Sequence, residues 1–143
     1  MSRAGSLARL GESVARCLRR TGQTVAVAES STGGLLSASL LAVPGASAWF
    51  LGGSVVYTAR SRRNILGIRA EDVAGLEPLT EAMAARFAGF ARRQLDATWG
   101  IAELGVAGPT GARYGHPPGT SVIAIDGPVC RCASIRTGSA DRE

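Results

Sequence analysis

The passage from Thr24 to Val43 constrains the fold more than any other. An apolar stretch, Thr24-Val25-Ala26-Val27-Ala28, runs into Glu29-Ser30-Ser31-Thr32-Gly33-Gly34 and then into the apolar Leu35-to-Val43 segment. A short apolar run without alternation predicts a strand buried on both faces. The polar, Gly-rich stretch predicts a turn, and the segment after it a helix stopped by Pro44-Gly45. A strand, a tight turn and a helix in direct succession belong to an α/β layout.

The rest of the chain fits that layout. Leu7, Leu10, Val14, Cys17 and Leu18 repeat at helical spacing and predict an amphipathic helix over residues 6–20, ended by Thr21-Gly22. Gly52 to Tyr57 reads as a second strand, and Thr58 as the N-cap of a helix ending at Gly67. Met83, Phe87, Phe90 and Leu95 mark a longer helix opening near Thr80. Trp99 to Ala107 reads as a third strand, ending at Gly108-Pro109-Thr110-Gly111, and residues 113–119 as an irregular loop. Thr120 to Ile125 and Val129 to Ile135 form a hairpin through the Asp126-Gly127-Pro128 turn. The expectation is one three-layer domain over residues 1–143, a mixed central sheet flanked by helices.

The net charge is +5, and all 16 basic residues are Arg, so the chain has no Lys. No aromatic residues interleave with the Arg clusters, and no nucleic-acid recognition module is legible. An anionic small molecule therefore suits the charge better than nucleic acid. Cys17, Cys130 and Cys132 are too few and too oddly placed for a disulfide framework, and they offer no second ligand pair for zinc. The N-terminus has no continuous apolar signal region and no apolar run approaches membrane-spanning length, so the expected location is the cytoplasm.

Chemistry is most legible in the Glu29-to-Gly34 turn. Between a strand and a helix, such a turn can offer backbone N–H groups to an anion or a developing oxyanion. On the residues alone, the same hydroxyls serve equally as an N-cap. The turn lacks the GK[ST] ending of a phosphate-binding loop and the G-x-S-x-G pattern of a nucleophile elbow.

Five stretches together resemble one family. Ala28-Glu29-Ser30-Ser31-Thr32-Gly33-Gly34 is similar to the A-E-S-C-T-G-G signature of the CinA C-terminal domain family. Val43 to Gly53 resembles its V-P-G-S-S-x-x-F-x-G-G stretch, and Val56-Tyr57 with Leu66-Gly67-Ile68 its V-x-Y-S-N-x-x-K-x-x-L-L-G-V region. Val106 to Gly111 and Pro118-Gly119-Thr120 resemble its I-A-G-P-x-G and P-V-G-T elements. The matches run in order over nearly the whole chain. The family includes enzymes that hydrolyse the amide of nicotinamide mononucleotide to nicotinic acid mononucleotide and ammonia. The resemblance implies a serine amidase needing no metal or cofactor, with a Lys general base and a pocket near a subunit interface. It therefore implies a pyridine-nucleotide substrate and a homo-oligomer. Carried over, Ser30 is the nucleophile, Tyr57 lies beside the nicotinamide, and Ser31 replaces a Cys. Ser31, Thr32, Gly33, Gly34, Gly105, Ala107, Gly108 and Arg142 bind substrate, with the Gly33 and Gly34 backbone holding the oxyanion.

Two departures put the activity in question. The family Lys falls on Arg62, whose guanidinium keeps its proton to a pKa above about 12 and cannot act as a base. The family Thr falls on Leu104, beside Glu103. The alternative bases are His116, whose ordinary pKa of about 6.5 suits the task, Glu29 and Glu103. A noncatalytic nucleotide- or partner-binding domain is the rival expectation. Family members continue past the Gly138-to-Glu143 segment into a closing helix, so exposed apolar sheet surface is expected here unless a partner covers it.

Overall fold

The computed structural model describes residues 3–113 and 115–142; Tyr114, in the loop that carries His116, lies outside the described residues, as do Met1, Ser2 and Glu143. In chain order the elements are α1 (Arg3–Thr21), β1 (Val25–Glu29), α2 (Leu35–Leu41), β2 (Phe50–Val55), α3 (Ala59–Asn64), α4 (Glu81–Gln94), β3 (Trp99–Val106), β4 (Thr120–Asp126) and β5 (Arg131–Arg136). Short 3₁₀ turns at Ala46–Ala48 and Ala70–Val73 were not anticipated.

The five strands form one mixed sheet in the order β2-β1-β3-β4-β5. Strands β2, β1 and β3 run parallel, and β4 and β5 join antiparallel, with the hairpin in the expected place. Strand β1 lies between two neighbours and is buried at every position. Ala26 and Ala28 enter the core under α4, with Val56, Phe87, Ala102, Leu104 and Val122. Val25 and Val27 enter the opposite core, with Leu18 of α1, Leu40 of α2 and Trp49. This two-sided burial is why β1 shows no polar alternation. The three layers are thus α1 and α2, the sheet, and α4.

Element ends differ from the sequence reading by a few residues, for local reasons. Strand β2 begins at Phe50, because Phe50 pairs with Val25. It ends at Val55, leaving Val56 and Tyr57 beyond the strand. Helix α3 stops at Asn64 rather than Gly67, and Ile68 N–H closes the bend on the Arg62 carbonyl at 3.1 Å. Thr58 caps α3 as expected, accepting from Ser61 N–H, and Thr80, near which α4 is expected to open, caps it by accepting from Met83 N–H.

Between α1 and the sheet, Val14, Cys17, Leu18, Val25, Trp99, Ile101 and Ile125 line an apolar cleft of about 440 Å³. Among the described residues, no helix is long and apolar enough to cross a membrane.

Gly100 sets how closely α4 can approach β3. A Cβ there would fall on the Ala88 carbonyl and come within 2.9 Å of Arg92 Cβ. Helix backbone cannot yield as a flexible side chain can. We expect Gly100→Ala to cost about 1–3 kcal/mol of stability, read as a lower urea midpoint. A midpoint unchanged from wild type would refute the close approach.

Candidate active site

Parallel strands β1, β2 and β3 end at one edge of the sheet, where ligands of open α/β sheets commonly bind. Ser30 follows β1, Tyr57 lies two residues past β2, and Gly108 two past β3. Two buried carboxylates organise this edge. Glu29 is 0% exposed and Glu103 1%. Among the described residues, no basic side chain is ion-paired with either one.

Glu29 holds the start of α2. Its Oε1 accepts from Thr32 Oγ1 (2.7 Å), Gly34 N–H (3.1 Å) and Leu36 N–H (2.9 Å). Its Oε2 accepts from Ser37 N–H (2.8 Å) and Ser37 Oγ (2.7 Å). Burial alone would raise the Glu29 carboxyl. The donors from Ser37, Thr32 and Leu36 outweigh burial and hold it below the ordinary value.

Glu103 reaches from β3 to the turn. Its Oε2 accepts from Ser30 N–H and Thr32 N–H, both at 3.0 Å, and from Thr32 Oγ1 at 2.9 Å. Its Oε1 accepts from Ser31 Oγ and, at 3.4 Å, from Ser121 Oγ. The single Thr32 hydroxyl proton is shared between the two carboxylates. Gly105 makes room for this cluster: a Cβ there would fall on Ser31 Oγ and lie 2.7 Å from both Glu103 Oε1 and Ser121 Oγ.

This geometry changes the expected role of the turn. Gly33 N–H donates to the Ser30 carbonyl at 3.2 Å and Gly34 N–H to Glu29. The two amides expected to hold an oxyanion are therefore committed inside the protein. Glu29, weighed as a base, is saturated by the donors that hold α2.

The other expected site residues divide. Arg142 Nε donates to the Gly108 carbonyl at 2.6 Å, bringing those two together. Ala107 precedes Gly108 in the turn after β3, and a cis peptide joins Gly108 to Pro109. Tyr57 is 55% exposed. Arg62 Nε donates to the Val56 carbonyl at 3.3 Å, and its guanidinium lies 5.0 Å from the Phe87 ring centre. It helps line a cleft of about 350 Å³ with Arg60, Arg63, Arg69, Met83 and Phe87. His116 lies in the 113–119 loop, where its carbonyl accepts from Ala112 N–H at 2.9 Å. Leu104 is 3% exposed and packs in the core under α4.

Ser37 and Ser121 belong to the cluster but escaped the sequence reading. Ser37 is, with Ser39, one of two polar interruptions in the apolar run after Gly34, and Ser121 stands directly across from Gly105 in the β3–β4 register. Among the described residues, no group of three or more His, Cys, Asp or Glu is placed to hold a metal ion.

Fold and site together define a three-layer α/β domain with a serine-rich turn clamped by carboxylates at the edge of its parallel strands. The CinA C-terminal domain family matches residues 7–143, and the chain belongs to that family. A CinA-like protein of Synechococcus elongatus is 37% identical over 134 residues, covering 93% of this chain and 32% of that protein. A putative competence-damage inducible protein of Desulforamulus reducens is 41% identical over 119 residues, covering 83% of this chain and 29% of that protein. The chain thus spans about a third or less of the length of these relatives. The crystal structure of competence damage-inducible protein A from Klebsiella pneumoniae superposes with a TM-score of 0.86 at 31% identity, covering 95% of this chain and 84% of that one. A CinA superfamily protein from Escherichia coli superposes with a TM-score of 0.87 at 25% identity, covering 99% of this chain and 83% of that one.

The depressed Glu29 carboxyl has a consequence for stability. A group whose folded value is lowered stabilises the fold above its unfolded value, about 4.3 for Glu, and loses that contribution as pH falls through the folded value. Glu29→Gln should therefore lower the urea midpoint near neutral pH, and the deficit should shrink as the pH falls below about 5. A deficit constant across that range would contradict the assignment.

Proposed function

We propose that this domain hydrolyses the amide of a pyridine nucleotide, nicotinamide mononucleotide being the leading substrate, with a nucleophile from the Ser30–Ser31 turn. Family resemblance puts that nucleophile at Ser30. The observation that carries the reading is the turn itself, with two adjacent serines at the edge of the parallel strands, backed by buried carboxylates that have no ion-pair partner among the described residues. Buried carboxylates gathered at such an edge are a mark of functional sites.

The arginine cleft supports the same substrate class. Arg62 is tied to Val56, whose N–H bonds the Glu29 carbonyl at 2.7 Å, so the cleft adjoins the strand end that precedes Ser30. Guanidinium groups pair with phosphate oxygens in bidentate fashion. The apolar cleft beside α1 is the surface through which we expect the domain to self-associate. One observation favours a second reading, binding without turnover: Arg62 stands where a base is needed, and the Gly33 and Gly34 amides are already occupied.

Ammonia release from nicotinamide mononucleotide by the purified protein tests turnover. Titration calorimetry tests the phosphate arm. The mononucleotide should bind at least about tenfold more tightly than its riboside, as expected for one charge-assisted phosphate contact. Arg62→Ala should erase that difference. Equal affinity for the two ligands in wild type would remove the nucleotide from the proposal.

A further inference from the structure

The two serines of the turn face different chemistry. Strand β1 alternates between the core under α4, which takes Ala26 and Ala28, and the opposite core, which takes Val25 and Val27. Ser30, one residue past the strand, is 5% exposed; Glu103 holds its N–H, and among the described residues its hydroxyl meets no carboxylate. The Ser31 hydroxyl donates to Glu103 Oε1.

The two oxygens of Glu103 divide their work. Oε2 holds the turn, through the N–H groups of Ser30 and Thr32. Oε1 accepts no N–H in this network; its partners are the hydroxyls of Ser31 and Ser121. An oxygen that meets only hydroxyls is the one positioned to take a hydroxyl proton.

The geometry points to Ser31 and Glu103 as a nucleophile–base pair that replaces the Ser–Lys chemistry of the family. This inference rests on the amide-hydrolysis reading above and moves its nucleophile by one residue. Ser31 Oγ attacks the amide carbon as its proton passes to Glu103 Oε1. The C–N bond then breaks, and the proton moves from Glu103 to the departing nitrogen, which leaves as ammonia. Water attacks the acyl-serine, giving a proton to Glu103, and that proton returns to Ser31 Oγ as the acid is released. Ser31 is only partly buried, so a substrate lying over the sheet edge can reach its hydroxyl.

A fluorophosphonate probe tests the pair without assuming a substrate. The serine oxygen forms a bond to phosphorus, fluoride leaves, and the serine proton goes to the base. Peptide mapping by mass spectrometry should find the label on Ser31. It should persist in Ser30→Ala and vanish in Ser31→Ala. Glu103→Gln keeps an oxygen for the Ser30 and Thr32 N–H groups while removing the base, so labelling should slow at least about a hundredfold. It should still unfold cooperatively, at a lower temperature than wild type because a neutral acceptor replaces an ionised one. A purely structural Glu103 would leave the labelling rate of the Gln variant unchanged, and that result would overturn the base assignment. Should the Gln variant fail to fold, the pH profile of wild-type labelling decides. The rate should fall as the solution is acidified, Glu29 being the other carboxylate joined to this network through Thr32, and a flat profile would overturn the pair. Label on Ser30 would overturn the pair while leaving the amidase reading intact. Absence of label from the folded protein, together with no ammonia release, would overturn both.

Discussion

The edge of the sheet depends on the Glu103 carboxylate. A charge buried without a cation is costly, often by several kcal/mol, and among the described residues hydrogen bonds are what offset that cost here. Three consecutive residues of the turn, Ser30, Ser31 and Thr32, donate to it, so a β3 side chain fixes the path of the chain leaving β1. Hydrogen bonds to an ionised acceptor are the stronger kind. Glu29 repeats the device one strand over, gathering the first turn of α2 onto the end of β1. Thr32 joins the two systems through one hydroxyl.

This arrangement gives the turn its order and limits what it can do. Amides that hold carboxylates or the Ser30 carbonyl are not available to a ligand, so the turn does not act as a ready anion cradle in this conformation. What it presents is hydroxyl chemistry with different surroundings on its two sides. Arginine and core side chains lie toward α4, and carboxylate and serine hydroxyls lie toward β4. Arg62 offers no proton acceptor; under the proposed Ser31–Glu103 pairing the acceptor lies on the opposite face of the sheet.

Small residues make that crowding feasible. Gly105 leaves space for Ser31, Glu103 and Ser121 to converge, and Gly53 leaves space for Ser37 beneath Glu29. Gly100 does the same for α4 against β3. Each lies within a strand, where glycine weakens local propensity but admits a close neighbour.

The local half of this structure was legible in the residues. Apolar runs without alternation marked the buried strand β1, helical spacing marked α1 and α4, and Thr58 and Thr80 announced their helices, because these preferences act over a few neighbouring residues. Ordered motifs along the chain were enough to indicate the family and to single out Ser30, Ser31, Glu29 and Glu103 as residues of interest. What those residues do to one another was decided only by tertiary structure. The pairing of β1 with β3 sets Glu103 beside a turn some 70 residues earlier in the chain, at a |i−j| of 71 to 73. The same pairing buries Leu104 on one face while its neighbour Glu103 reaches the turn on the other. Sequence spacing carries no record of which amides will be consumed by which carboxylate, because hydrogen-bond partners across a sheet are fixed by strand order and register rather than by local preference.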